Sequence, residues 1–181
     1  MTRTRAIISK SDFNFMYAAM HKLHPRFGLM WAMGIETGLR ISDLLSLKVS
    51  QISHFGNLDI RESKTGNWRS FKFEPYLLDE LNTVVSSYNL IPDHYIFFSH
   101  VNRKKKHISR QYAHRLIARI SKIRGLEHIG AHSMRKTYAC RLFRSTGSLE
   151  AVQAILGHKH ISTTLIYLRD LLSEIPTIGC D

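Results

Sequence analysis

LGHKHISTTLIYLRD, residues 156–170, is the stretch on which the reading of this chain turns. His158 follows a Leu-Gly pair, and nine residues later Tyr167 stands in a short apolar run. Gly157 is suited to end one helix and Ser162 to open the next, so the histidine falls at a turn and the tyrosine on the following helix. Alone the pair says little, because a buried tyrosine usually has its hydroxyl hydrogen-bonded. Its meaning depends on what the rest of the chain sets beside it.

Composition narrows the field first. At 181 residues and 44% hydrophobic, the chain is long enough to bury one core. Lys and Arg number 26 against 14 Asp and Glu, a formal +12. A surplus that large on a non-repetitive chain points to a polyanion, nucleic acid ahead of a membrane surface. A ribosome-associated or simply basic soluble protein is the alternative that charge alone leaves open. Cys140 and Cys180 are too few for a disulfide framework, and there is no CxxC. Neither a secretory signal nor an apolar run of the ~20 residues needed to span a bilayer is present. The compartment expected is therefore a reducing, cytoplasmic one.

Residues 1–10 are basic without apolar periodicity and read as an N-terminal arm. SDFNFMYAAMHKL then opens a helix, with Ser11 as the expected N-cap, and RFGLMWAMGIETG is a second that Gly38 ends. RISDLLSLKV begins another helical segment. The pattern changes in LDIRES and WRSFKFE, short runs of β formers separated by KTGN, which predict a hairpin with Gly66 in its turn. Helical spacing returns at Pro75, HYIFFS is brief and extended, and a basic loop, HVNRKKKH, follows. Four more helical segments lie in ISRQYAHRLIARISKIRG, HSMRKTYACRLFRSTG, SLEAVQAILG and STTLIYLRDLL. The expected fold class is α+β, mostly helical, with one small antiparallel sheet.

Four motifs occur in order along this framework: TGLRISDL around Arg40, a hairpin lysine, Lys64, before Thr-Gly, the HSMR of His132 and Arg135, and LGH followed by Tyr167. From about residue 11 to about residue 170 the chain resembles the catalytic domain of the tyrosine recombinases, the phage-integrase family. The resemblance implies that family's catalytic-domain fold over residues 11–172 and an active site of Arg40, Lys64, His132, Arg135, His158 and Tyr167. It also implies DNA cleavage and rejoining through a covalent 3′-phosphotyrosyl link, without metal, ATP or other cofactor.

The chemistry asks for the same residue types. Breaking a phosphodiester without metal takes a nucleophile, cations on the non-bridging oxygens and an acid for the leaving 5′ oxygen. Tyrosine, with an ordinary pKa of about 10, needs a base or a cationic field. Two guanidiniums hold a phosphate in a planar fork that a lysine does not reproduce. His132, three positions before Arg135, shares its helix face and suits the role of proton acceptor or orienter. His158 would then donate to a phosphate oxygen, and Lys64 on the hairpin tip is the candidate general acid. Lys72 and Arg69 on the next strand compete with Lys64. Asp43 is read either as a residue orienting the cations or as an ordinary first-turn helix charge. His132, His158 and His160 lack the spacing of a closed zinc site, so no metal is expected. Tyr138, Trp31, the Met-rich face LMWAM and Cys140 read as core. Arg103, Lys104, Lys105, Lys106, Arg110 and Arg115 form the expected phosphate-binding set outside the site.

Two departures from the family stand out. Most members carry an N-terminal core-binding domain of ~100 residues, whereas here only about ten residues precede the first helix. The chain is then either a fragment or a naturally short member similar to the fimbrial-switch recombinases, and Met1 followed by a basic arm favours the latter. YLRD also stands where many members have Tyr-x-His. The tail, residues 173–181, with Leu171 and Leu172 ahead of it, is a candidate protomer–protomer contact or folds back on its own core. Expected partners are double-stranded DNA and further copies of the chain, a homo-tetramer on DNA and a monomer or weak oligomer without it, with an accessory DNA-bending protein. Three functional readings follow: a site-specific recombinase that integrates, excises or inverts DNA; a type IB topoisomerase; and a non-catalytic DNA-binding regulator. The wording of the first and last motifs favours the recombinase.

Overall fold

The computed structural model of the protein describes residues 4–102 and 105–172. Its centre is α2 (Pro25–Thr37), buried on nearly every side by Phe27, Leu29, Met30, Trp31, Met33 and Ile35. A helix that is apolar all round has to be an inner helix, and α1 (Lys10–Leu23), α4 (Pro75–Ser87) and α6 (Ala131–Thr146) pack around it. Between them in sequence lie the short α3 (Ile41–Leu45) and α5 (Arg110–Ile123). The second half of α6 joins α7 (Leu149–Leu156) and α8 (Ile161–Leu172) in a smaller cluster of Ala139, Cys140, Val152, Leu156, Leu168 and Leu171. Trp31, the methionines of α2 and Cys140 are core, as read, and Tyr138 packs half-buried beside the smaller cluster. Among the described residues no helix is long and apolar enough to cross a membrane.

The sheet is the expected hairpin. β1 (Asn57–Arg61) runs antiparallel to β2 (Trp68–Lys72), with Asn57 opposite Lys72 and Arg61 opposite Trp68. Leu58 and Ile60 point inward, and the period of two carries the inward face on to Glu62 just past the strand. Gly66, at φ 71°, closes the turn by donating its N–H to the Glu62 carbonyl (2.9 Å).

The structure corrects two expectations at the N-terminus. Helix α1 begins at Lys10 and its N-cap is Ser9, whose hydroxyl accepts from the Asp12 N–H (3.3 Å), rather than Ser11. The arm expected over residues 1–10 is tied to the body from Arg5 onward. Arg5 N–H donates to the His128 carbonyl and Ile7 N–H to Thr137 Oγ1, both at 2.9 Å. The reason is an alternation: Ile7 enters the main core while Ala6 and Ile8 face the smaller one. Among the described residues HYIFFS forms no strand and pairs through the isolated bridges Tyr95–Lys48 and Phe98–His107. One buried charge lacks an acidic neighbour among its hydrogen bonds: Arg26 donates to Nε2 of His24 and of His100 and lies over the Phe27 and Phe98 rings.

Candidate active site

The ends of two helices and one hairpin build the site. Helix α2 stops at Gly38 in the left-handed region (φ 60°), where a Cβ would stand 2.4 Å from the Tyr138 ring. Arg40 itself is extended (φ −63°, ψ 144°) and stands as the N-cap at the mouth of α3, with 19% of its side chain exposed. Helix α7 likewise ends at Gly157 (φ 62°), and the chain turns through His158 into α8. A Cβ on Gly157 would meet Thr65 Cγ2 at 3.2 Å, so the hairpin tip packs closely on this turn.

Arg135 occupies the junction. It is 2% exposed, and its guanidinium donates to the Gly38 carbonyl (2.5 Å), the Leu156 carbonyl (2.7 Å) and Glu62 Oε1 (3.2 Å). Those two carbonyls belong to the C-terminal ends of α2 and α7, where backbone acceptors are left over and the helix dipole is negative. One cation thus caps two helices while standing on a third. His132, one turn earlier on α6, meets Tyr167 of α8: Tyr167 Oη and His132 Nε2 are hydrogen-bonded and their ring centroids lie 5.2 Å apart. The His158 ring stands edge-on to Tyr167 at 4.7 Å, and its Nδ1 bonds to Thr164 Oγ1 (3.1 Å). Arg40, Lys64, His132, Arg135, His158 and Tyr167 line one cleft of about 780 Å³. All six expected site residues are therefore together, with Lys64 exposed on the hairpin turn.

Burial and the paired arginines set the protonation of the site. Desolvation of the ring, then the charges of Arg135, Lys136 and Arg40, lower His132 to about 4. His158 is lowered to about 4 by burial first, then by Arg135 and Arg40. Both imidazoles are therefore neutral near pH 7, and Nε2 of His132 can accept a proton. Burial raises the Tyr167 phenol above its ordinary value, opposed by Arg135 and Arg40.

The carboxylate among the cations is Glu62, which the sequence analysis did not single out. Glu62 is 1% exposed; its Oε2 accepts from Arg40 (2.8 Å) and Thr65 Oγ1 (3.0 Å), and its Oε1 lies 3.5 Å from Arg69. Burial alone would raise its pKa, but Arg135 and Arg40 outweigh that and hold it below the ordinary range. Asp43 takes another place. It is buried, and its Oδ1 accepts the Ser63 N–H (3.2 Å), so it orients the hairpin backbone rather than the cations. Arg69 is committed to Glu62 and to the Thr37 carbonyl (2.8 Å), which removes it as a rival to Lys64. A signal for Glu62 was present in the inward alternation Leu58, Ile60, Glu62, a charge at a buried strand position. Thr164 carries a similar signal, a polar residue on the buried α8 stripe with Leu168 and Leu171.

Of the expected phosphate-binding residues, Lys105, Lys106, Arg110 and Arg115 are exposed and lie outside the cleft lining, while Arg103 and Lys104 lie outside the described residues. His114 of α5 approaches the start of α6, where a Cβ on Gly130 would stand 4.0 Å from its Nδ1.

A model of the phage integrase family matches residues 7–173. The chain belongs to the phage integrase family. A probable integrase/recombinase of Bacillus subtilis, YoeC, is 33% identical over 141 residues, covering 77% of this chain and 75% of YoeC. Tyrosine recombinase XerA of Thermococcus kodakarensis is 29% identical over 133 residues, 73% of this chain and 46% of that protein. This chain spans about half or less of the length of XerA and of the tyrosine recombinases of Campylobacter jejuni and Pseudothermotoga lettingae that it also matches. The fold agrees with that of XerH site-specific recombinase bound to a palindromic difH substrate, at TM-score 0.74 and 22% identity over 98% of this chain and 54% of XerH. Lambda integrase, as a dimer bound to a COC′ core site, superposes at TM-score 0.72 with 22% identity over 100% of this chain and 52% of its own. The mostly helical catalytic-domain fold with a small antiparallel sheet is thus that of the tyrosine recombinases.

Proposed function

We propose that this integrase-family chain is the catalytic domain, over residues 11–172, of a site-specific DNA recombinase that cleaves and rejoins DNA through Tyr167. The observation that carries the reading is the Tyr167–His132 hydrogen bond at a cleft floored by Arg40 and Arg135. Tyr167 Oη attacks phosphorus, a Tyr–O–P bond forms, and the P–O5′ bond breaks. The phenolic proton passes to His132 Nε2, which is neutral and already in contact. Arg40 and Arg135 neutralise the non-bridging oxygens as charge builds on them. With Thr164 donating to its Nδ1, His158 carries its proton on Nε2 and donates to the same phosphate. Lys64 gives a proton to the leaving 5′ oxygen. The bond energy is kept in the phosphotyrosyl link, so the reverse attack by a 5′-hydroxyl rejoins DNA.

The names of the relatives support this reading, as does the neighbouring Tn1549 transposon integrase, solved in complex with circular intermediate DNA. The +12 charge and the exposed Lys105, Lys106, Arg110 and Arg115 favour contact with backbone phosphates, so affinity should fall steeply with salt. On DNA the chain acts as a homo-tetramer, with a DNA-bending partner where its sites demand it. In the tail, Leu171 is buried in its own smaller core, which leaves the role of protomer contact to residues 173–181, outside the described region.

The test is covalent trapping. The protein is incubated with labelled DNA from the flanks of its own gene, denatured, and analysed for a protein–DNA adduct beside Tyr167→Phe. An adduct at one mapped position with a free 5′-hydroxyl, lost in Tyr167→Phe, supports the recombinase. An adduct scattered over all DNA favours the topoisomerase. One that survives Tyr167→Phe overturns the assignment, and salt-sensitive binding without any adduct leaves a DNA-binding regulator.

A further inference from the structure

Three guanidiniums from three separate elements converge on the Glu62 carboxylate. Arg40 comes from the mouth of α3, Arg69 from β2 and Arg135 from α6. A fourth contact, Thr65 Oγ1, comes from the hairpin turn next to Lys64. We propose that Glu62 is a positioning residue for the cleavage step: it holds the two arginines and the Lys64 hairpin in one geometry and weakens their hold on the ground-state phosphate. This rests on the recombinase reading above.

The donor count gives the first half of the argument. A guanidinium has five N–H groups. Among the described residues Arg135 donates to Gly38, Leu156 and Glu62 and also reaches the Tyr167 hydroxyl, which leaves it little freedom to move. Arg40 spends one, on Glu62, and keeps four. Among the described residues that bond is the one polar restraint on a partly exposed arginine, which without it would turn away from the like charges of Arg135 and Arg69. Thr65 lies one residue from Lys64, so the carboxylate that aims Arg40 also anchors the turn that presents the candidate acid.

Charge gives the second half. Three cations against one buried carboxylate leave an excess of two at the floor of the cleft. Losing Glu62's charge would make it three. Phosphate in the ground state would bind more tightly, but tighter ground-state binding does not speed the reaction, which gains only from contacts that strengthen in the transition state. Disordered arginines would also lose the alignment on which those contacts depend.

The experiment compares wild type with Glu62→Gln, which keeps shape and the Thr65 contact while removing charge, and with Thr65→Val, which removes the tether together with the longer Asn67 N–H contact inside the turn. Inorganic phosphate is titrated into each protein and followed by the His132 and His158 ring resonances. Adduct formation is timed on the DNA fragment that the trapping assay yields. For Glu62→Gln the phosphate Kd should fall at least twofold while the adduct rate falls ten- to a hundredfold. For Thr65→Val the rate should fall severalfold at unchanged phosphate Kd. A purely structural role would weaken both readouts together, and that result, or a wild-type rate in Glu62→Gln, overturns the proposal. If Glu62→Gln does not fold, Thr65→Val decides: an unchanged adduct rate overturns it. Should wild type form no adduct at all, the recombinase reading has failed. The phosphate titration still judges Glu62, and an unchanged or raised Kd in folded Glu62→Gln then counts against it.

Discussion

Arg135→Ala should cost the fold far more than Arg40→Ala, although both arginines line the same cleft. Arg135 is 2% exposed and donates to two helix C-terminal carbonyls and to Glu62. Each hydrogen bond to a charged group is worth about 1.5–3 kcal/mol, and removing one member of a buried ion pair costs about 3–5 kcal/mol. These overlap, because Glu62 retains Arg40 and Arg69, so the expected loss is about 3–5 kcal/mol. For a chain of this size that corresponds to a fall in Tm of about 6–20 °C. Arg40 makes one such bond, is partly solvated, and leaves Glu62 with Arg135 and Thr65. Its removal should cost about 1 kcal/mol. Urea denaturation at pH 7, followed by far-UV circular dichroism, measures both. If Arg135→Ala loses less than about 1 kcal/mol, or if the two variants lose alike, the view of Arg135 as the junction of α2, α6 and α7 is wrong. The contrast matters for function, since an inactive Arg135→Ala would report a damaged fold as much as a lost phosphate contact.

Acid should destabilise the protein well above the carboxylate range. His24, His132 and His158 are each lowered to about 4 in the fold, so between pH 6.5 and 4 the unfolded chain takes up protons that the folded one refuses. The urea midpoint should fall steadily across that window, and a flat midpoint from pH 7 to 5 would contradict it. Phosphate bound in the cleft offsets the charges of Arg135 and Arg40 and so raises both site histidines. Calorimetry of DNA binding at pH 5.5 in two buffers of different ionisation enthalpy should therefore show proton uptake, and identical heats would refute it. Thr164→Val keeps the shape of a fully buried side chain but frees the His158 ring, so adduct formation should drop severalfold with Tm nearly unchanged. Equal rates would remove Thr164 from the site. Gly157→Ala forces an L side chain to φ 62° and against Thr65, which should cost about 1–2 kcal/mol in denaturation; a neutral result would show that the turn relaxes freely.

The local structure was legible wherever one short pattern decides it. Gly38 and Gly157 end their helices in the left-handed region because that conformation strains any residue with a Cβ. Gly66 closes the hairpin for the same reason, and the four motifs name six side chains that meet at one cleft. Ser9 displaced Ser11 as the cap of α1 because Ile7, two residues before it, is anchored in the core, a constraint that local capping preference does not contain. Asp43 and Glu62 show the limit more sharply. Both are acidic residues near Arg40 in space, and the motif spacing drew attention to Asp43, yet the inward face of β1 delivers Glu62 to the arginines. Which carboxylate balances which cation is decided where α2, α6, α7 and the hairpin meet, by contacts across 22 to 97 residues of chain. The sequence by itself determined the helices, the hairpin, the basic character and which six side chains line one cleft. Only the tertiary structure decided that Arg135 caps two helices, that Thr164 orients His158, and that a single buried carboxylate joins the cations, because a buried charge is tolerable only where packing supplies its partners.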